Sequence, residues 1–193
     1  MSLPKAFRTT LETIPAPLPY LHADPERITG WKQRLAALSG RKVGLVWAGS
    51  PFSQQPRAQA MDRRRSVTLR HYAPLASVPG LCLISLQKGD AAMQARTPPE
   101  GMVLHDWTEE LDDYADTAAL VEALDLVISV DTSVVHLAGA LGKPVWVLSR
   151  YDQCWRWLRG RTDSPWYPTA RLFRQQSPGD WSGVISDVVE ALR

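Results

Sequence analysis

The stretch Leu126-Val-Ile-Ser-Val-Asp-Thr-Ser-Val-Val-His-Leu-Ala-Gly-Ala-Leu-Gly-Lys-Pro-Val-Trp-Val-Leu148 reads as strand, turn, helix, turn, strand, with a polar cluster at the first turn. Leu126–Val130 is a short apolar run rich in β-branched residues, the pattern of a strand buried on both faces of a parallel sheet. Asp131, Thr132 and Ser133 supply N-cap chemistry for a helix through about Leu141, and Gly142 and Pro144 stop it before a second apolar strand, Val145–Leu148. A strand that passes directly into a helix N-terminus puts unpaired N–H groups and the positive end of the helix dipole at one edge of the sheet, which suits a phosphate. Plain capping accounts for Asp131, Thr132 and Ser133 equally well. His136, three residues after Ser133 and four after Thr132, shares their helix face and makes the cluster a candidate anion site.

Upstream of this unit, Pro4, Pro15, Pro17, Pro19 and Pro25 disfavour both helix and strand from Met1 to about Asp24, so an extended arm is expected there. Pro25 to Leu38 recovers a helical stripe, Ile28, Trp31, Leu35 and Leu38, ended by Gly40. Residues 1–40 thus read as an arm and a linker helix, and residues 41–193 as one domain. Val43–Trp47 is the first buried strand. In the turn that follows, Gly49 permits a positive φ or the close approach of a ligand. The polar segment Phe52 to Ser66, carrying Arg57 and the cluster Arg63, Arg64 and Arg65, reads as a long functional or disordered loop. It leaves the same sheet edge as Asp131, where open α/β sheets bind ligands.

Leu81–Leu86 is the second strand, with Gln87, Lys88, Gly89 and Asp90 as its exit turn. Lys88 there has three readings: a phosphate partner, a partner for an acid, or an exposed structural lysine. Met102–Leu104 is expected as a short third strand. The acids Asp112, Asp113 and Asp116 read as helix-start chemistry, with Asp116 or Thr117 capping a helix through Ala123. Beyond Leu148 comes a loop rich in tryptophan and arginine, whose rings suit either nucleobase stacking or packing against the arm. Ala170–Phe173 and Trp181–Leu192 read as a last strand and a closing helix capped near Asp180.

Ser129 to Pro144 resembles the signature of the heptosyltransferase-like glycosyltransferases, in which Asp-Ser/Thr-Gly-x-x-His-x-Ala-x-Ala precedes Gly-x-Pro. Ser133 stands where that family carries glycine. Lys42–Gly49, Ser85–Gly89, Asp116–Leu120 and Ser164–Pro168 also resemble, in order and spacing, the C-terminal region of bacterial tetratricopeptide-repeat proteins with a glycosyltransferase-like domain. No repeat of that kind occurs in this sequence. The resemblance implies an α/β, single Rossmann-like domain with a mostly parallel sheet, equivalent to the C-terminal, donor-binding half of a GT-B glycosyltransferase. It implies a nucleotide diphosphate sugar as ligand, held by Thr132, Ser133 and the helix N-terminus. Asp131, Gly49, Arg63, Arg65 and Lys88 surround that site in this reading, and His136 orients it. The acceptor half would come from a protein partner or from self-association; a non-catalytic binding module is the rival reading.

Composition narrows the classes further. At 193 residues, 45% hydrophobic and 22% charged, the chain is long enough for one sizeable core and too short for two nucleotide-binding domains. A net charge of +2 leaves the arginine cluster a local feature, so no nucleic-acid partner is expected. No apolar run is long enough to span a bilayer and no signal-peptide core is present, from which a cytoplasmic location is expected. The two cysteines, Cys82 and Cys154, show neither metal-ligand spacing nor a disulfide framework, and neither a metal nor a cofactor is expected. The first strand is followed by no GxGxxG, which argues against a conventional NAD domain, and no P-loop occurs.

Overall fold

A computed structural model describes residues 3–51 and 54–193; the first residues of the expected arm, and Phe52 and Ser53 of the expected loop, lie outside the described residues. Six strands, β1 Arg41–Val46, β2 Leu81–Ser85, β3 Leu104–Asp106, β4 Leu126–Val130, β5 Val145–Ser149 and β6 Ala170–Arg174, form one sheet in the order β3-β2-β1-β4-β5-β6. Every neighbouring pair is parallel. Parallel neighbours require crossovers that cover both faces, which is why β4 is buried at all five positions. Alternation along the strands divides the core. Leu126, Ile128 and Val130 face one layer with Tyr72, Leu75 and Ile185, whereas Val127 faces the other with Leu120, Val135 and Ala138.

The first layer is built by a 3-10 helix, Leu69–Ser77, and by α6 (Trp181–Leu192), whose N-cap Asp180 accepts from the Gly183 N–H at 2.9 Å. The second is built by α2 (Pro25–Ala36), α4 (Tyr114–Ala123) and α5 (Ser133–Ala140). Helix α2 docks beside α4 through Leu35, the ion pairs Arg27–Asp116 (2.5 Å) and Arg34–Glu110 (2.7 Å), and Arg34 stacked 4.5 Å over Trp107. Those pairs are exposed and add little; the buried apolar stripe holds the helix.

Four sequence expectations need correction. Four arm residues, Leu3–Ala6, form a helical turn, α1, because only Pro4 interrupts there and proline is tolerated in a first turn. Residues Pro56–Arg65 are a helix, α3, and not a loop; Pro56 sits in its first turn, and alanine, glutamine and arginine favour helix without marking any apolar stripe. The third strand lies two residues later than expected, because Met102 is a core residue of the preceding loop while polar His105 and Asp106 do the pairing at the sheet edge. Asp113, not Asp116 or Thr117, caps α4: it accepts from Ala115 and Asp116, and Asp116 reaches back to the Asp113 N–H in a capping box.

Candidate functional site

Strand order reverses between β1 and β4, since the crossovers run outward from this pair in opposite directions, and a crevice opens beyond their carboxyl ends. Its walls are the exits of β1 and β2, the start of α4 and the start of α5. Gln87 joins the first two. Its buried side chain accepts from the Trp47 and Ala48 N–H groups at 2.9 and 2.8 Å and donates to the Ala48 and Lys88 carbonyls at 3.0 and 2.9 Å. One amide thereby pairs four main-chain groups at the two strand exits, the buried Trp47 N–H among them.

Helix α3 returns across this edge. Arg65 donates to Asp62 at 3.0 Å and to the Asp131 carbonyl at 3.1 Å, tying α3 to the turn after β4. Gly49 lies against that pair: a Cβ there would run into the Arg65 guanidinium and the Asp62 carboxylate. Gly49 does not adopt the positive φ that its sequence allows, so what it supplies is space. Lys88 donates to the Thr108 and Leu111 carbonyls at 2.6 and 2.8 Å, bracing the loop before α4. Its partners are neither acid nor solvent alone.

Thr132 is the N-cap of α5, in extended conformation, but its hydroxyl makes no capping bond and instead meets Ser129 Oγ at 3.1 Å. Ser133 Oγ accepts from the Tyr114 hydroxyl at 2.6 Å, across the mouth of the crevice. Among the described residues no side chain caps α5, so the capping role read for Asp131, Thr132 and Ser133 is not the one these side chains perform. The first-turn amides of α5 and the positive end of its dipole are left facing the cleft. The cleft measures about 950 Å³ and is lined by Gly49, Arg65, Lys88, Thr132 and Ser133 together with apolar Val46, Leu86 and Leu111. That is the upper end of the size range of small-molecule sites. Asp62, Asp90, Asp112 and Asp113 line it as well, so carboxylates outnumber the two cations.

The remaining predicted residues lie outside this lining. Asp131 contributes its carbonyl to Arg65 and is half-buried. Arg63 is exposed on α3 without an ion pair among the described residues, while its neighbour Arg64 pairs with Asp152 at 2.6 Å. His136, one turn beyond Ser133 on α5, is stacked on Trp157 with ring centroids 5.4 Å apart and bonded through Nδ1 to the Tyr167 hydroxyl at 3.1 Å. Burial holds its pKa below the usual histidine value; Asp131 pulls it up and Arg156 pushes it further down.

Residues 113–174 match the Glycosyltransferase family 9 (heptosyltransferase) model. The match runs from the cap of α4 to the end of β6 and contains the whole α5 turn. Protein FlbA of Caulobacter vibrioides is 33% identical to the chain over 195 residues, covering 97% of the chain and 31% of that protein. Among solved structures, the E. coli ADP-heptose LPS heptosyltransferase II superposes with a TM-score of 0.64 at 18% identity, over 95% of this chain and 56% of that one. A family 9 glycosyltransferase from Veillonella parvula gives 0.60 at 12% identity (89% and 51%), and E. coli heptosyltransferase WaaC with ADP gives 0.53 at 16% (94% and 53%). The chain thus spans about a third of FlbA and about half of each solved glycosyltransferase. At those identities the superpositions establish the fold: a six-stranded parallel α/β domain of the kind found in heptosyltransferases.

Gln87, Asp62, Tyr114 and Tyr167 were not singled out by sequence reasoning. Gln87 carried a usable signal, a glutamine directly after a largely apolar strand, where a buried amide is worth having only if the exit loops need it. Asp62 and Tyr114 carried none, since their roles depend on α3 and on the packing of α4 against α5.

Proposed function

We propose that this domain binds the diphosphate of a nucleotide sugar at the uncapped N-terminus of α5 and serves as the donor half of a glycosyl-transfer site. The observation that carries the reading is a helix start with no side-chain cap, opening into a large cleft at the reversal of strand order. Backbone amides, with Thr132 and Ser133 at the turn, hold the diphosphate; Ser133 keeps its own proton while accepting from Tyr114, and Arg65 and Lys88, which already bond protein acceptors, retain further N–H donors as neighbouring charge. Gly49 keeps the β1 exit low enough for the ligand, Arg63 adds long-range attraction, Asp131 anchors α3 over the turn, and His136 orients the helix that carries the site. The apolar wall of Val46, Leu86 and Leu111 accommodates the nucleoside.

Transfer also needs a base within hydrogen-bond reach of an acceptor hydroxyl. In this reading that group comes from a second half, supplied by a partner chain, by self-association or by the rest of a longer tetratricopeptide-repeat protein, and the domain alone does not turn over. No described helix is long and apolar enough to cross a membrane, and a cytoplasmic setting belongs to the proposal. The engagement of both cleft cations by protein groups favours one alternative, a binding module that kept the fold without chemistry. A nucleic-acid role is disfavoured because Arg64 and Arg65 are committed to Asp152 and Asp62.

Calorimetric titration with ADP, UDP, GDP and CMP tests the site. A diphosphate is expected to bind, and Thr132→Val or Ser133→Ala to weaken it about tenfold or more, the effect of losing a hydrogen bond to a charged group. Unchanged affinity in both variants would sink the location. Product formation by the purified monomer with a simple acceptor would overturn the division into halves.

A further inference from the structure

We propose that Tyr167 is a positioning residue that fixes His136 as the neutral tautomer protonated on Nε2, leaving Nε2–H as the donor offered to a ligand. Two hydrogen bonds meet at this point. The Tyr167 hydroxyl lies 3.1 Å from His136 Nδ1. Tyr20, brought from the arm by bonds from the Tyr20 and Leu21 N–H groups to the Ala140 carbonyl, donates its own hydroxyl to Tyr167 at 3.5 Å. The Tyr167 oxygen therefore accepts from the arm and has its proton left for the imidazole.

Phenol chemistry agrees with that direction. The ring draws in the oxygen lone pairs, making a phenol a better donor than acceptor, and a neutral imidazole nitrogen is a strong acceptor. Burial raises the Tyr167 pKa further, so its proton is retained. With Nδ1 accepting, the ring proton must sit on Nε2, because the bond made by one nitrogen sets the state of the other. Nε2 bonds no described residue.

The ring is also held mechanically. Trp157 stacks on it nearly parallel, at 9°, and Tyr167 lies tilted by 56° at its edge, in contact with Trp157 as well. Gly139, one turn after His136, makes room for Tyr167: a Cβ there would lie 2.5 Å from two ring carbons. Glycine is a poorer helix former than alanine, and near the end of α5 its presence is explained by the tyrosine seated against it. The charges acting on the imidazole are Asp131, from the turn before α5, and Arg156, from the aromatic loop. Nothing in the family match assigns a role to Tyr167, and only the use of Nε2–H rests on the cleft reading above.

The test is two-bond proton–nitrogen NMR of the ¹⁵N-labelled chain near pH 7.5, with the His136 signals assigned by their loss in His136→Gln. Expected are a protonated Nε2 and a bare Nδ1 shifted by the bond it accepts. Tyr167→Phe, which keeps the ring seated on Gly139, should abolish that Nδ1 shift and introduce a fraction of the Nδ1–H tautomer; Tyr20→Phe should do so more weakly. A protonated Nδ1 in the wild type, or unchanged nitrogen shifts in Tyr167→Phe, overturns the proposal. ADP titrated into both proteins provides the second arm, with a three- to tenfold weaker Kd expected for Tyr167→Phe. An altered tautomer with unchanged affinity overturns the positioning role. Failure of the wild type to bind any nucleoside diphosphate sinks the cleft reading, while the nitrogen shifts still decide the tautomer.

Discussion

The two sides of α5 carry similar polar residues in opposite states. Toward the cleft, Thr132 and Ser133 spend their hydroxyls on Ser129 and Tyr114 and leave the helix start uncapped. On the flank, His136 is stacked on Trp157 and bonded to Tyr167, and the hydrogen bond to its Nδ1 is in turn supported from the arm. The difference follows from what each side meets. The cleft side faces a gap left by diverging crossovers, whereas the flank is covered by the loop between β5 and β6. An open helix end beside a braced histidine is the arrangement expected where a ligand completes what the protein has positioned.

The comparison breaks most completely if the cleft wall loses its brace. Gln87→Leu leaves the Trp47 and Ala48 N–H groups buried without acceptors, and two such groups at roughly 1–3 kcal/mol each predict a loss of about 3–5 kcal/mol in urea unfolding. A loss below about 1 kcal/mol would mean that the exits rearrange freely and that the wall is not preformed. On the flank, Gly139→Ala should gain helix propensity yet lose about 1–3 kcal/mol overall, because the new methyl displaces the Tyr167 ring. A higher Tm in that variant would show that the flank is not locked.

Titration sharpens the contrast less drastically. The depressed folded-state pKa of His136 means that the unfolded chain binds its proton first as pH falls, so its contribution is complete above about pH 6.5 and is lost as pH drops through the folded value. Denaturation midpoints at several pH values between 7.5 and 5 should therefore fall, and His136→Gln should flatten that slope. The carboxylates held low by their partners, Asp113, Glu110 and Asp163, act in a lower window and leave this one to the histidine. The smallest effect belongs to the rim. Tyr114→Phe removes an exposed hydroxyl bridge and should cost roughly 0.5–1 kcal/mol; a change in diphosphate affinity beyond about threefold would make Tyr114 part of the site and not merely its edge.

Much of the framework was legible from local pattern. Leu126–Val130 is the strand expected, α6 has the expected limits, and Asp180 caps it. Each carries its own signal, an unbroken apolar run or an amphipathic stripe behind a capping acid. Helix α3 was not legible, because a helix of arginine, glutamine and alanine lying across a sheet edge needs no apolar stripe. The site divided in the same way. Gly49, Arg65, Lys88, Thr132 and Ser133 converge on one cleft, while His136, grouped with Thr132 and Ser133 by helical spacing, stands just outside its lining, bonded to Tyr167. Spacing puts residues on a common arc of a helix about 100° wide, and neighbouring elements then decide which part of that arc faces the ligand.

By itself the sequence determined the parallel α/β pattern, the strand-to-helix turn at Asp131–Ser133 and the polar identity of the residues around it. Strand periodicity and turn chemistry act over a few residues, so they can be read without knowing what lies opposite. Only the tertiary structure decided that Thr132 would leave its helix uncapped, that Arg65 would span from α3 to the Asp131 carbonyl, and that Tyr20 would meet Tyr167 and Tyr167 meet His136. Those bonds join residues as far as 147 positions apart, and their geometry is set by the packing of whole layers against the sheet, which no local pattern encodes.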